Sequence, residues 1–294
     1  DNIGTAVSEL NQSDVILNIN GWVIDNRLSF SIAGKLPVNQ LEKLALTYQY
    51  QLRRLTKALL THQRRFLTCS DVGFNISQTL LDQLQSEKEV EAIYFANSLQ
   101  QGFVYHALSQ GDKDEAYRTQ MHWDYYCELD ESRLKQAWLS AQTRYPALRL
   151  RFSWQEEIVQ VIDKHSSLSW TNIDLTMLDE GAQRQRVDEL LFQDKHRAYD
   201  LSQSGLFRIT LIKLRDDRYT CIFNNHHAIL DGWSNPLLLT FVHDCYLNLT
   251  QGQHIEVNGD NSYPQAQAYL QNQRQQDDSF WQRYLSQVED SENL

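Results

Sequence analysis

Two adjacent histidines, His226 and His227, stand at the end of an apolar run that begins at Cys221. The run predicts a buried strand over residues 219–225, and successive side chains of a strand point to opposite faces. The two imidazoles therefore cannot readily share one metal ion or one substrate. We expect one ring to be packed in the core and the other to face a cavity, where a neutral imidazole can accept a proton.

Asp231 follows His227 by four residues, beyond a short loop, and Gly232 comes directly after it. A glycine here leaves room for close approach to the backbone, and its amide could reach a developing oxyanion. An ordinary turn glycine fits equally well, and Asp231 can hold the loop without taking part in chemistry. The whole spacing, H-H-x-x-x-D-G, is much more specific than a lone histidine, which more often belongs to a core.

The elements that must position these residues alternate along the chain. Residues 207–214 and 219–225 are predicted to pair as antiparallel strands around a polar turn. The other predicted elements are helices over 96–108, 131–144, 178–197, 236–249 and 264–284, and strands over 121–127, 147–154, 158–162 and 167–170. Interspersed strands and helices predict a mixed α/β fold. Upstream, two alternating strands joined by Asp25-Asn26 predict a hairpin, followed by a helix over 38–65.

Composition limits the partners. Lys and Arg total 27 against 38 Asp and Glu, a net charge of -11, which argues against nucleic acid. No apolar stretch reaches the roughly 18 residues of a membrane span, so no membrane partner is expected, and the N-terminus lacks the pattern of a signal peptide. The four cysteines form no C-x-x-C pair. We therefore expect no metal site, and reduced thiols in a cytoplasmic protein.

Residues 226–234, HHAILDGWS in one-letter code, match the central HHxxxDGWS signature of the condensation domains of nonribosomal peptide synthetases. Three further segments agree in the family's order. Residues 98–106 resemble the first core motif, and residues 144–152 resemble the second, RHExLRTxF. Residues 199–208 resemble FDLSxxPLxR, with Gly205 in place of its proline. The chain is thus similar to the N-terminal lobe of a condensation domain.

The first part of the chain resembles something else, the C-terminal tail of an epimerization domain. Residues 19–36 look like the closing hairpin of that domain, and residues 67–71 are similar to the linker that follows it, with Cys69 where proline is usual. The Gln-Gly-x-x-x-His form of the first motif and the continuation over 233–239 resemble the condensation subtype that acts after an epimerase. That subtype joins a donor ending in a D-residue to an L-acceptor.

The resemblance implies a chloramphenicol-acetyltransferase-like mixed sheet with flanking helices, one of two lobes that enclose a channel. We expect residues 1–66 to be the remnant of the epimerization domain and 67–89 a linker. Residues 90–261 would form the N-terminal lobe and 262–294 the truncated start of the second lobe. Because the chain lacks an initial Met, it looks cut from a longer one. With half of the channel absent, we expect the isolated fragment to be inactive.

The reaction implied is aminolysis of a thioester. A carrier-bound acceptor amine attacks the carbonyl of a carrier-bound donor, and both are tethered by phosphopantetheine arms. The implied partners are the upstream and downstream peptidyl carrier domains, with neighbouring epimerization and adenylation domains and no directly bound cofactor. By motif position, His227 is assigned to catalysis. It acts either as general base or as electrostatic stabiliser of the tetrahedral intermediate, and the sequence leaves both roles open.

The other motif residues are expected to build the setting of His227. Strand alternation assigns His226 to the core. Asp231 is expected to form a buried ion pair with Arg149, or failing that with Arg208. The residues expected to line the channel are Trp233, Ser234, Gln101 and Tyr105.

Three other functions fit parts of the pattern. Epimerization domains also carry HHxxxDG, but the Trp233-Ser234 continuation favours condensation. A soluble acyl-CoA donor fits the fold, but the flanking resemblance to an epimerization domain argues against it. A noncatalytic docking or structural module belongs to a different class, and a peptide-bond assay with two loaded carrier proteins would separate it from an enzyme.

Overall fold

A computed structural model describes residues 15–61, 64–111, 116–253 and 257–286, with the backbone alone for 275–279. The chain divides between Arg64 and Arg65 into two units. No helix within the described ranges combines the length and the apolar character that are needed to cross a membrane.

The first unit contains a hairpin of β1 (Leu17–Ile24) and β2 (Arg27–Gly34), followed by α1 (Val38–Thr61). Its turn is formed by Asp25 and Asn26, with φ values of 49° and 61°. Two consecutive positive φ values match the right-handed twist of the strands, so the predicted tight turn is confirmed. Phe30 of β2 packs edge-on against Tyr48 of α1, with ring centroids 5.2 Å apart.

The second unit contains the remaining elements, which are listed here in chain order. They are α2 (Cys69–Val72), α3 (Gln78–Leu84), β3 (Val90–Phe95), α4 (Ser98–Gln110), β4 (Arg118–Tyr125), α5 (Glu131–Arg144), a 3₁₀ turn (Pro146–Arg149), β5 (Leu150–Ser153), β6 (Val159–Asp163), β7 (Ser169–Asp174), α6 (Glu180–His196), β8 (Phe207–Arg215), β9 (Arg218–His226), α7 (Ser234–Thr250) and α8 (Ser262–Leu285).

Among its described residues, two sheets organise this unit. One has the strand order β3-β6-β5, and the other has the order β4-β9-β8-β7. In the second sheet β7 runs parallel to β8, while β8 and β4 run antiparallel to β9. Helices and loops pack a shared core that includes Trp138, Phe207 and Phe223, all fully buried. This is the mixed α/β architecture with flanking helices that the sequence predicts.

The segment expected to be a linker, residues 67–89, is packed rather than loose. Leu80, Leu81 and Leu84 of α3 are buried in a cluster with Val161 of β6. Ser77 caps α3, because its side chain accepts a hydrogen bond from the backbone amide of Leu80 at 3.1 Å. The segment therefore contributes to the core of the second unit.

Candidate active site at the end of β9

The central position of β9 in its sheet fixes where the two histidines emerge. His226, the last residue of β9, lies opposite Arg118 of β4 and donates its backbone amide to the Leu206 carbonyl at 2.9 Å. The amide of His227 donates to the Tyr117 carbonyl at 2.7 Å, which extends the pairing with β4 by one residue. The backbone then turns, with the amide of Ile229 donating to the His226 carbonyl at 3.2 Å. Both imidazoles are thus held at a rigid strand end.

His226 is the packed histidine of the pair. Its side chain is buried, and its Nδ1 accepts a hydrogen bond from the Ala228 amide at 3.1 Å. The rings of Phe103 and Tyr199 each lie edge-on to the imidazole, with centroids 6.1 Å away. The imidazole thus braces the turn that follows β9, which is the setting that strand alternation predicts for one histidine of the pair.

His227 is half-buried, and the geometry fixes its tautomer. Nδ1 lies 2.8 Å from the Leu230 carbonyl oxygen. Because a carbonyl oxygen can only accept, Nδ1 carries the proton and donates. In the neutral ring this leaves the lone pair on Nε2, which can then accept a proton.

An aromatic wall stands beside His227. Phe103 of α4 packs against the imidazole at 5.7 Å and against the Tyr117 ring at 4.5 Å, measured between centroids. His106 lies edge-on to Tyr117 at 5.1 Å. Tyr117, whose carbonyl binds the His227 amide, has a φ of 58°, in the left-handed region that bulky residues rarely adopt. Strained backbone of this kind is typical of functional sites.

Asp231 does not form the expected ion pair, so that prediction is wrong for both proposed arginines. The carboxylate is exposed, and its Oδ1 accepts the backbone amide and the hydroxyl of Ser234, at 2.7 and 2.6 Å. These hydrogen bonds hold the pKa of the carboxyl below its ordinary value. Asp231 thus closes the loop onto the first turn of α7.

Arg149 has other acceptors because it lies among the strands of the first sheet. Its guanidinium pairs with Glu91 at 2.8 Å. It also donates to the carbonyls of Gln142 at 3.0 Å and Asp163 at 2.6 Å. The side chain is 6 % exposed, so these partners replace the water it has lost.

Arg208 is hydrogen-bonded to the C-terminal end of α6. Nε donates to the Asp194 carboxylate at 3.0 Å, and a terminal nitrogen donates to the carbonyls of Asp194 and Arg197. The guanidinium also lies over the Tyr199 ring, 4.0 Å from its centroid. Both arginines are therefore held by partners other than Asp231.

The residues after Asp231 lie at the surface. Gly232 has no atoms within 4 Å of the position that a Cβ would take, so the described residues would admit a larger side chain there. Trp233 is 87 % exposed. Ser234 is engaged by Asp231. A cavity of about 270 Å³ borders this segment, with Leu230, Ser234 and Tyr263 among its lining residues.

On α4, Gln101 and Tyr105 are expected to line the channel, but a different residue, Gln100, contacts the turn that follows β9. The Gln101 side chain donates to the Ala96 carbonyl at 2.9 Å, and Tyr105 is 73 % exposed. The neighbouring Gln100 is buried and donates to the Ala228 carbonyl at 3.2 Å, next to His227. Sequence reasoning missed Gln100, although the capping box that it forms with Asn97 is a recognisable local signal.

The Cys221 thiol on β9 is poorly suited to nucleophilic chemistry. Burial raises the pKa of the Cys221 thiol, which leaves little thiolate at neutral pH. Within the part of the chain that the structure describes, no group of three or more His, Cys, Asp or Glu side chains is arranged to hold a metal ion. In its neutral form, the half-buried imidazole of His227 presents Nε2 as a proton acceptor at this site.

Comparison with known proteins decides the family. The model of the Condensation domain family matches residues 90–294. The chain belongs to the condensation domain family. Among its relatives, N-(5-amino-5-carboxypentanoyl)-L-cysteinyl-D-valine synthase of Penicillium rubens is 40 % identical over 206 residues, which are 70 % of this chain and 6 % of that protein. The enzyme of the same name from Amycolatopsis lactamdurans is 42 % identical over 197 residues, 66 % of this chain and 5 % of that protein.

The chain therefore spans a small part of these relatives, about one-twentieth of their length. The fold of this condensation domain has a solved counterpart in the starter condensation domain of rhizomide synthetase. That structure matches with a TM-score of 0.57 and 18 % identity, over 68 % of this chain and 51 % of the other. The predicted condensation-domain family and the condensation fold are thereby confirmed.

Proposed function

We propose that this condensation domain catalyses peptide-bond formation, by attack of a carrier-bound acceptor amine on a carrier-bound donor thioester. The relatives are peptide synthases by name, and both substrates would arrive on phosphopantetheine arms of upstream and downstream carrier domains. We further propose a cytoplasmic synthetase with neighbouring epimerization and adenylation domains, and a donor that ends in a D-residue. These finer assignments are supported by the motif resemblance described above.

The observation that carries the proposal is the tautomer of His227. With Nδ1 donating to Leu230, the lone pair of Nε2 faces away from the turn and is available to the nitrogen that becomes positively charged as the neutral amine attacks. The amine nitrogen bonds to the thioester carbon, and Nε2 removes its surplus proton. As the C–S bond breaks, the imidazolium returns that proton to the leaving sulfur. The amide and a free thiol are the products, and the enzyme is regenerated.

In this mechanism the residues around His227 have positioning roles. His226 and Gln100 hold the turn, and Asp231 fixes the start of α7. Tethering supplies much of the proximity, because it makes the attack effectively intramolecular. The exposed Trp233 and Tyr105 are available to line the acceptor or donor path, with Gln101 and Ser234 beside them.

The test is His227→Asn in the complete synthetase with both carriers loaded. Asn Nδ2 can still donate to the Leu230 carbonyl, but no acceptor remains at the place of Nε2. We expect peptide-bond formation to fall about 10²–10⁴-fold while the folded state is retained. Full activity of this variant would defeat the proposal.

His243 provides a matched control in the same unit. Its Nδ1 also donates to a backbone carbonyl, that of Leu239 at 2.7 Å, and its Nε2 accepts from the Tyr125 hydroxyl at 2.7 Å. The change His243→Asn therefore removes a similar histidine away from the proposed chemistry. We expect it to leave the rate of peptide-bond formation within about twofold, whatever it does to stability.

A further inference from the structure

A chain of polar side chains crosses the interior between the His227 turn and α8. At its centre is Gln160 of β6, which is fully buried. The amide nitrogen of Gln160 donates to the Phe95 carbonyl and to the Gln267 side-chain oxygen, both at 2.7 Å. Its amide oxygen accepts from the Tyr263 hydroxyl and from Gln100, the latter at 3.5 Å. The nitrogen and the oxygen of the buried amide therefore each make two hydrogen bonds.

One end of this chain is the turn that carries His227. Gln100 Nε2 donates to the carbonyl of Ala228, the residue after His227, at 3.2 Å. The Gln100 side chain has little freedom to move away, because its oxygen accepts the Asn97 amide at 3.0 Å and the residue is 7 % exposed. A shift of Gln160 would thus be transmitted to the backbone beside the imidazole.

The other end of the chain is α8. Tyr263 and Gln267 lie one turn apart on this helix, on the same face. Burial raises the pKa of the Tyr263 hydroxyl, which keeps it protonated and able to donate to Gln160. The helix is therefore tied to β6 through two side chains, and β6 is tied through Gln100 to the turn.

We infer that Gln160 is a positioning residue that couples α8 to the orientation of the His227 imidazole. A buried polar network with every member satisfied specifies one arrangement of its elements, and the loss of its central member leaves several groups without partners. The inference rests on the proposed function in one respect, because the proposed function gives His227 its chemical role. It assigns Gln160 no contact with substrate.

The experiment compares Gln160→Leu with Gln183→Leu in this chain. Gln183 of α6 is also buried, and it donates to the carbonyls of Leu175 and Leu214 at 3.0 and 2.9 Å. The two variants thus remove similar buried amides. Gln160→Leu removes one inside the polar network, and Gln183→Leu removes one outside it. A milder variant, Tyr263→Phe, deletes only the hydroxyl that donates to Gln160 and serves where Gln160→Leu does not fold.

Two readouts report the turn itself without any turnover. The ¹⁵N resonances of the His227 imidazole distinguish a proton on Nδ1 from one on Nε2, and hydrogen exchange follows the amides of His227 and Ile229. For Gln160→Leu or Tyr263→Phe we expect exchange of these amides to rise about tenfold, as for the loss of one net hydrogen bond, with a larger Nε2–H population. For Gln183→Leu we expect both readouts to stay at their original values.

One result of these measurements would overturn the inference. If Tyr263→Phe leaves the His227 tautomer and the exchange of the His227 and Ile229 amides unchanged, the inference is overturned. Gln160 then stabilises the core without affecting the turn. Activity in the complete synthetase separates this inference from the proposed function. A perturbed turn with unchanged peptide-bond formation would support the coupling but count against His227 as the base, whereas a several-fold lower kcat at constant KM supports both.

Discussion

Ser234 donates both its backbone amide and its hydroxyl to one carboxylate oxygen of Asp231, at 2.7 and 2.6 Å. Ser234 is the first residue of α7, so the carboxylate satisfies one of the amide groups that a helix leaves unpaired at its start. The aspartate of the HHxxxDG pattern therefore acts as a helix cap on an exposed loop. Its hydrogen bonds hold the loop that follows His227 against the first residue of α7.

A cap of this kind makes a modest contribution to stability. We expect Asp231→Ala to lower the free energy of unfolding by about 0.5–2 kcal/mol, whereas Asp231→Asn keeps an acceptor and should change it by a few tenths. Chemical denaturation of both variants measures the difference. A loss of 3–5 kcal/mol for Asp231→Ala would instead indicate a buried ion pair and contradict the cap.

The same contact gives a pH dependence. The pKa of Asp231 lies below its ordinary value of 3.8, with the Ser234 hydrogen bonds as the leading cause. Because the folded pKa is depressed, the stabilisation is present above pH 3.8 and is lost as the pH falls through the lower folded value. We expect Ser234→Ala to raise the pKa of Asp231 toward 3.8, as followed by ¹³C NMR of the carboxylate.

Asp174 is the internal control for that titration. Its Oδ1 accepts the amide and the hydroxyl of Thr176, at 2.8 and 2.6 Å, and these bonds also lower its pKa. In the Ser234→Ala protein, the pKa of Asp174 should stay in place while that of Asp231 moves. Equal movement of both carboxyls would mean a general change in structure, and an unmoved Asp231 would remove the proposed cause.

Local patterns predicted much of the fold. The Asp25-Asn26 turn and the strand that ends at His226 both depend on residues within a few positions of one another. The strand over Val90–Phe95 was missed, because its six residues carry no sustained alternation between apolar and polar types. Short strands of this kind are recognised mainly by their partners in a sheet.

Contacts between distant residues account for the errors at the site. Arg149 pairs with Glu91, 58 positions away, and Gln100 reaches Ala228 across 128 positions. Any arginine and any aspartate attract each other, so the sequence could only rank Arg149 first and Arg208 second as partners of Asp231. The packing of β3 against β6 decides otherwise, because it brings Glu91 beside the guanidinium. The partner of a charged side chain is set by tertiary structure.

A double-mutant cycle tests this reassignment directly. We expect Arg149→Met to cost about 2–4 kcal/mol of unfolding free energy, because the buried carbonyls of Gln142 and Asp163 lose their donor. Combined with Asp231→Asn, the effects should add to within about 0.5 kcal/mol. Combined with Glu91→Gln, a coupling of up to about 1 kcal/mol is expected, since Glu91 is 44 % exposed. A larger coupling to Asp231 than to Glu91 would reverse the assignment.

Tyr117 offers a test of the backbone that holds His227. Its φ of 58° costs a residue with a Cβ about 1–2 kcal/mol, and the cost is greatest for β-branched side chains and least for asparagine. We therefore expect Tyr117→Val to be less stable than Tyr117→Asn by about 1–2 kcal/mol in urea unfolding. At Tyr125, in the extended strand β4, the order should reverse because valine favours strands. Equal stability of the two Tyr117 variants would show that the left-handed turn is not retained in solution, and that the Tyr117 carbonyl does not fix the His227 amide.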